Sequence, residues 1–154
     1  MKRTSFRSGL ILVAAISSLT LSGLSSAADA DRVDKVSNKD FAATAKTIET
    51  TLKSSGFMIF STIDHQKVGA NLKGAKTIEF GMPDMIKGLL QMDPEAGLGM
   101  PGRMYVWERS DGKTVVSYRK PSSDFSKRGD AKLTAMGNKM NGTWDMIAEE
   151  ATKK

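Results

Sequence analysis

Two alternating runs joined by Asp111-Gly112, "RMYVWERSDGKTVVSY", constrain what this chain can fold into more than any other stretch. Side chains of a strand point alternately to its two faces, and Asp-Gly suits a type I′ hairpin turn, in which both central residues have positive φ. The stretch therefore predicts an antiparallel hairpin with Met104, Val106 and Glu108 on one face and Tyr105 and Trp107 on the other. Both faces carry apolar groups. Packing of Tyr105 and Trp107 beneath helices is the expected arrangement; left uncovered, they would offer an aromatic wall to a small apolar or aromatic ligand.

The flanking segments supply the other elements. Val33 and Val36 predict a short first strand ahead of a helix start at Ser37 or Asn38. Phe41, Ala45, Ile48 and Leu52 then fall four, three and four residues apart, one face of an amphipathic helix that Gly56 caps. "FMIFSTI", rich in β-branched and aromatic residues, predicts a strand from Phe57 to Ile63, expected to be the core strand. "KTIEF" predicts another, ending at Gly81 and Pro83 before a short helix, "DMIKGLLQM", with Asp84 as its cap. "DPEAGLGMPG" reads as irregular. Leu133, Met136, Met140, Trp144, Ile147 and Ala151 recur every three or four residues and predict a closing amphipathic helix over about 130–152. Inside it Gly137 and Gly142 each cost about 1 kcal/mol relative to Ala, so they mark a bend or a close backbone contact. Mostly antiparallel strands with helices gathered on one sheet face make this an α+β fold.

Lys2, Arg3 and Arg7, the apolar "LILVAAIS" and the small-residue run "SGLSSAADA" have the layout of a secretory signal peptide over residues 1–27. Cleavage is expected after Ala27 or Ala28, with Ala30 a third choice. The apolar run is broken early by Ser17, Ser18 and Thr20 and falls short of the roughly 20 residues of a membrane span. The product is expected to be a periplasmic or secreted domain, residues 28–154, without a membrane span. Losing three basic and no acidic residues lowers the net charge from +6 to +3. Such a charge, without clustered Lys/Arg and interleaved aromatics, argues against a nucleic-acid partner. The absence of cysteine removes disulfides, thiol catalysis and thiolate metal ligands, and leaves an apolar core as the source of stability.

His65, the only histidine, follows Asp64 in "STIDHQKVGA". One imidazole does not supply the several ligands zinc or copper normally takes, so a metal there would need Asp64, Glu79 or methionine sulfurs as well. The simplest reading makes Asp64 the N-cap of a short helix, "HQKVGANL", with His65 in its first turn. Met82 and Met85, three apart, and Met100 and Met104, four apart, have the softness Cu(I) prefers, but methionine is also a general filler of irregular cores, which is the favoured reading. "GANLKGAKT" resembles a phosphate loop yet precedes a strand rather than a helix. Ser117 and Lys120 have serine-lysine spacing but lie on or just past a strand, where that spacing does not bring them together.

"STIDHQKVGA", "TIEFGMPDM" and "GLGMPGRMYVWERSDGKTVVSYRKP" together resemble the bacterial domain-of-unknown-function family 302, over about Val33 to Pro121. The resemblance implies a two-layer α+β fold similar to the TATA-box-binding-protein fold and a homodimer, with no established activity. Met82 stands where the family commonly has Asn, and Gly102 where a bulkier residue is usual. The pattern implies a modest binding pocket where the Asp64-His65 turn meets the strand end Phe80-Gly81-Met82-Pro83, with Tyr105 and Trp107 as an aromatic wall. The leading expectation is a non-enzymatic domain that binds a small molecule or protein and carries no cofactor. The alternatives are a small enzyme with His65, held by Asp64, as general base, and a metal-handling protein using His65 and methionines.

Overall fold

The computed structural model describes residues 30–68 and 72–154, so the expected signal peptide lies outside the described residues. Strand β1, Arg32–Val36, leads into helix α1, Phe41–Ser54. The helix is capped by Asp40, whose side chain accepts the Ala43 N–H, rather than by Ser37 or Asn38. Ser37 instead bonds the Thr44 hydroxyl and the Lys39 N–H, which ties the connection down one turn earlier. Ala45, Ile48 and Leu52 are buried as their spacing predicts, and Gly56 turns the chain out of the helix at φ 81°.

Strands β2, Met58–Asp64, and β3, Ala75–Gly81, pair antiparallel with a bulge between Ile59 and Ser61. Helix α2, Pro83–Met92, follows. Asp84 does not cap it: Met82 is the N-cap and makes no side-chain bond, while Pro83 starts the helix where its missing N–H costs nothing. The Pro- and Gly-rich segment contains a 3₁₀ turn, Pro94–Gly99, and a cis Met100-Pro101 bond. Arg128 holds it to the C-terminal half through Asp93 at 2.9 Å.

Strands β4, Gly102–Glu108, and β5, Thr114–Arg119, form the hairpin expected around Asp111-Gly112. Its turn is not type I′. Among the described residues only glycines have positive φ, so Asp111 does not adopt it; Ser110, Asp111 and Gly112 form a three-residue loop closed by the Arg109–Lys113 pair, with Gly112 at φ 79°. Asp111 keeps ordinary φ because its carboxylate is engaged by the Arg109 guanidinium and the Lys113 N–H, which lower its pKa to about 2.

Among the described residues the strands form one antiparallel sheet ordered β1-β5-β4-β3-β2. The stretch expected to be the core strand is thus an edge strand. Helix α1 carries the chain from one sheet edge to the other, and β2 is left with Met58, Phe60 and Ile63 exposed, while the centre falls to β4. After a short helix α3, Ser122–Phe125, helix α4, Ala131–Thr152, packs Leu133, Met140, Trp144 and Ile147 inward. Its junction with β1 and β5 is polar. Asp145 accepts from the Tyr118 hydroxyl at 2.8 Å and pairs with Lys35 at 2.8 Å, which holds its carboxyl below the usual range, Lys35 first and Tyr118 second.

Met104 and Val106, with Ile78, Phe80, Val116 and Tyr118, face α1 and α4, and the buried core lies between these layers. Gly102 belongs to the same side. A Cβ there would come within 2.6 Å of the Trp144 ring, so the departure from a bulkier residue makes room for the indole. Tyr105 and Trp107 therefore point away from the helices, contrary to the arrangement expected for them.

Candidate functional site

The face opposite α1 and α4 brings an aromatic row onto the centre of the sheet. Tyr105 and Trp107 alternate along β4 and stack with ring centroids 6.1 Å apart and planes 11° off parallel. His65, just beyond the end of β2, meets Tyr105 edge-on at 5.6 Å. Its Nε2 lies 2.8 Å from the Thr77 hydroxyl, which β3 places directly opposite Tyr105. On the other side β5 sets Ser117 opposite Tyr105, and the Trp107 indole N–H donates to the Ser117 hydroxyl at 2.8 Å. That bond occupies the serine that sequence spacing had set beside Lys120.

A cavity of about 760 Å³ runs over this face from Thr77 and Tyr105 and around the sheet end at Lys120 and Pro121, where Tyr118 and Trp144 from the helical side also line it. Arg32, Arg103, Arg119 and Lys120 line it, against Asp124. Arg119 is paired with Asp31 at 2.6 Å and Arg32 with Asp34 at 3.0 Å. Arg103 sits across the ladder from Glu79, and among the described residues neither Arg103 nor Lys120 closes a salt bridge.

The turn after β2 is not the helix expected from its sequence. Residues 65–68 are turn, and residues 69–71 lie outside the described residues. Asp64 Oδ1 accepts the Gln66 N–H at 3.1 Å and its carbonyl accepts the Lys67 N–H, so the residue closes an Asx turn. The Asp64 carboxylate engages the backbone of the turn and does not orient the imidazole. The stability tests change accordingly. Asp64→Ala removes one exposed turn bond and His65→Ala one side-chain bond plus a ring contact, so each is expected to cost about 0.5–1.5 kcal/mol. Urea midpoints of the two variants measure this; a loss confined to Asp64→Ala would restore the cap reading.

The structure separates the two halves of the pocket implied by the family pattern. Asp64 pairs with Lys76 at one end of the β2–β3 ladder and Met58 with Gly81 at the other. Five residue steps along the strand from Lys76 to Gly81 put them about 17 Å apart. Phe80 points into the core, 1% exposed, against Phe57 and Trp144. Gly81 gives way to Ile86 and Phe60, whose side chains a Cβ there would meet at 2.6 and 2.8 Å. Met82 lines a different cavity, and Pro83 a shallow groove along the β2 edge with Glu49 and Lys53. His65, Tyr105 and Trp107 share one surface; Phe80, Gly81, Met82 and Pro83 do not reach it. Thr77 and Arg103 join that surface without having been singled out in the sequence, and Ser117 and Lys120, weighed there only as a serine-lysine pair, join it as lining residues. Arg103 was readable from strand alternation with Tyr105 and Trp107, had the open face been known.

Among the described residues no group of three or more His, Asp or Glu is placed to hold a metal, and no helix is long and apolar enough to cross a membrane.

A family model described as "Domain of unknown function DUF302" matches residues 33–151, so the match runs on through α4. Two curated relatives, each named fluoride-specific ion channel FluC 1, come from Brucella suis biovar 1 and Brucella abortus biovar 1. Each is 28% identical over 103 residues, covering 64% of this chain and 41% and 38% of the respective relative. The chain thus spans about two fifths of the length of the curated relatives it matches. The crystal structure of a DUF302 protein from Bacillus stearothermophilus superposes with a TM-score of 0.71 at 16% identity, over 79% of this chain and 98% of that one. At that identity the likeness speaks for the fold.

Proposed function

From the premise that this chain belongs to the DUF302 family, whose description names no activity, we propose on the molecule's own geometry that it is an exported, non-enzymatic binding domain for a small planar anion. Export rests on the leader-like residues 1–27. The observation that carries the binding reading is the cavity of about 760 Å³ that has Tyr105 and Trp107 among its walls and Arg103 and Lys120 beside them. Its size lies within the roughly 300–1,000 Å³ usual for small-molecule sites. Stacked aromatic faces accept a planar group, and a guanidinium without a protein carboxylate has both donors of its fork available for a ligand carboxylate. Thr77 and Ser117 add polar contacts at the centre of the same surface. Ion conduction stays with the channel relatives, because the similarity extends over only 103 residues of each.

Benzoate and indole-3-carboxylate, with neutral benzyl alcohol as control, test this by calorimetry and tryptophan emission. The carboxylates are expected to bind and the alcohol not. Arg103→Ala and Tyr105→Ala should each weaken carboxylate binding by about tenfold, equivalent to about 1.4 kcal/mol, with the circular dichroism unchanged. Equal binding of the alcohol, or indifference of both variants, would sink the reading.

A second reading follows from the contact between His65 Nε2 and the Thr77 hydroxyl, since an imidazole beside a hydroxyl is half of a nucleophile-activating arrangement. Among the described residues no carboxylate is hydrogen-bonded to that imidazole, and Asp64 is turned to the backbone. Turnover of p-nitrophenyl acetate by the purified chain, abolished in both His65→Ala and Thr77→Val, would favour this reading over binding alone.

A further inference from the structure

Met82 and Met85 stand at the start of α2, Met136 and Met140 one turn apart on α4, more than 50 residues on in the chain. Folding brings all four to one cavity of about 520 Å³, walled on its other sides by Phe57 and Trp144. The sequence spaced these residues as two unrelated pairs, so their convergence is a product of the helix packing. Met140 is 6% exposed, and Met82, Met85 and Met136 are partly buried against the core. A flexible thioether ordinarily closes an irregular gap. Here five of them border a gap that stays open, the fifth being Met146, which is 51% exposed and turned largely to solvent.

We propose that this cavity is a site for a soft monovalent metal ion, Cu(I) in chemistry and Ag(I) as its redox-inert equivalent, held by the sulfurs of Met82, Met85, Met136 and Met140. Thioethers are soft, neutral donors and select Cu(I) over borderline and hard ions. The wall contains no carboxylate, and Lys139 lies on its rim. The cost of stripping water from an ion grows with the square of its charge, so neutral donors without a countercharge hold a monovalent ion far better than a divalent one. Lys139 is exposed and can carry its ammonium into solvent on its long stem. Competing ligands are scarce, because the chain has no cysteine and its one histidine lies at the opposite end of the β2–β3 ladder from Met82. The site shares only the Trp144 side chain with the cavity proposed for anions and stands whether or not that proposal does.

Ag(I) titration by calorimetry, and anaerobic Cu(I) titration against bicinchoninate, test it on the whole mature chain. The expected result is stoichiometric uptake of both ions, quenching of Trp144 emission, and indifference to Zn(II) at the same concentration. Met→Leu conserves volume while deleting the sulfur. The Met82→Leu/Met85→Leu and Met136→Leu/Met140→Leu pairs should therefore keep the fold and lose affinity by more than about tenfold, whereas His65→Ala should bind as the parent does. Should a pair fail to fold, the ε-methyl carbon resonances of the unmutated protein give the same answer. Shifts on adding Ag(I) should fall on these four methionines. No uptake, uptake undiminished in both pairs, loss in His65→Ala, or shifts confined to Met58 and Met92 would each overturn the proposal.

Discussion

Trp144→Ala is expected to lose about 3–5 kcal/mol of unfolding free energy, the range for truncating a buried large aromatic. The indole is 6% exposed and sits edge-on to Phe80 at 5.3 Å and to Tyr118 at 6.2 Å, joining α4 to β3 and β5 at once. Gly102 leaves the gap into which its six-membered ring fits, so no neighbouring side chain on β4 stands ready to fill the space. The methionine-lined cavity borders the same ring, and water entering from that side would bring the loss toward the lower end of the range. Urea denaturation followed by far-ultraviolet circular dichroism measures it. A midpoint close to that of the parent would mean that the middle of α4 is peripheral to the core.

Gly137→Ala is expected to destabilise the chain by about 2 kcal/mol, against the direction that helix propensity alone would give. Inside a helix Ala is favoured over Gly by about 1 kcal/mol. Gly137, however, is where α4 meets α3: a Cβ there would lie 2.8 Å from Ser122 Cα and 3.0 Å from the Phe125 ring. Ser122 is held from both sides, its N–H donating to Asn141 Oδ1 and its hydroxyl accepting from the same amide, so backbone must move to admit the methyl. Overpacking of this kind costs about 1–3 kcal/mol, and a backbone contact this close places it near the top of that range. Gly142 is the control in the same helix. Nothing lies within 4 Å of a Cβ there, so Gly142→Ala should stabilise by about 0.5–1 kcal/mol. Thermal melts of the two variants moving in the same direction would contradict the packing argument.

The elements that were readable are those whose signal is local. The period of Phe41, Ala45, Ile48 and Leu52, the stripe from Leu133 to Ala151 and the alternation across Met104 to Trp107 each depend on residues within a few positions of one another. All three elements formed where the spacing predicts. Capping was less readable. Asp40, Met82 and Asp64 show why: side chains close to an element boundary compete for the same few N–H groups, and the path of the incoming chain decides between them. The Asp111-Gly112 turn failed similarly, because Arg109 from the flanking strand engages the Asp111 carboxylate and fixes a different loop.

The candidate site was half readable. His65, Tyr105 and Trp107 were singled out and do meet, whereas Phe80, Gly81, Met82 and Pro83 lie at the far end of the ladder. Antiparallel pairing explains the division, since it places the end of β2 beside the start of β3 and carries the end of β3 away from it. By itself the amino-acid sequence determined the helices, the strand periods and the pairing of β4 with β5, because these follow from dihedral preference and burial within a short span. Only the tertiary structure decided that β2 lies at an edge, that the Tyr105 face stays clear of the helices, and that five methionines from the start of α2 and from α4 line one cavity. Each of these depends on which apolar surface covers which, a choice settled by the packing of all the layers at once rather than by any segment alone.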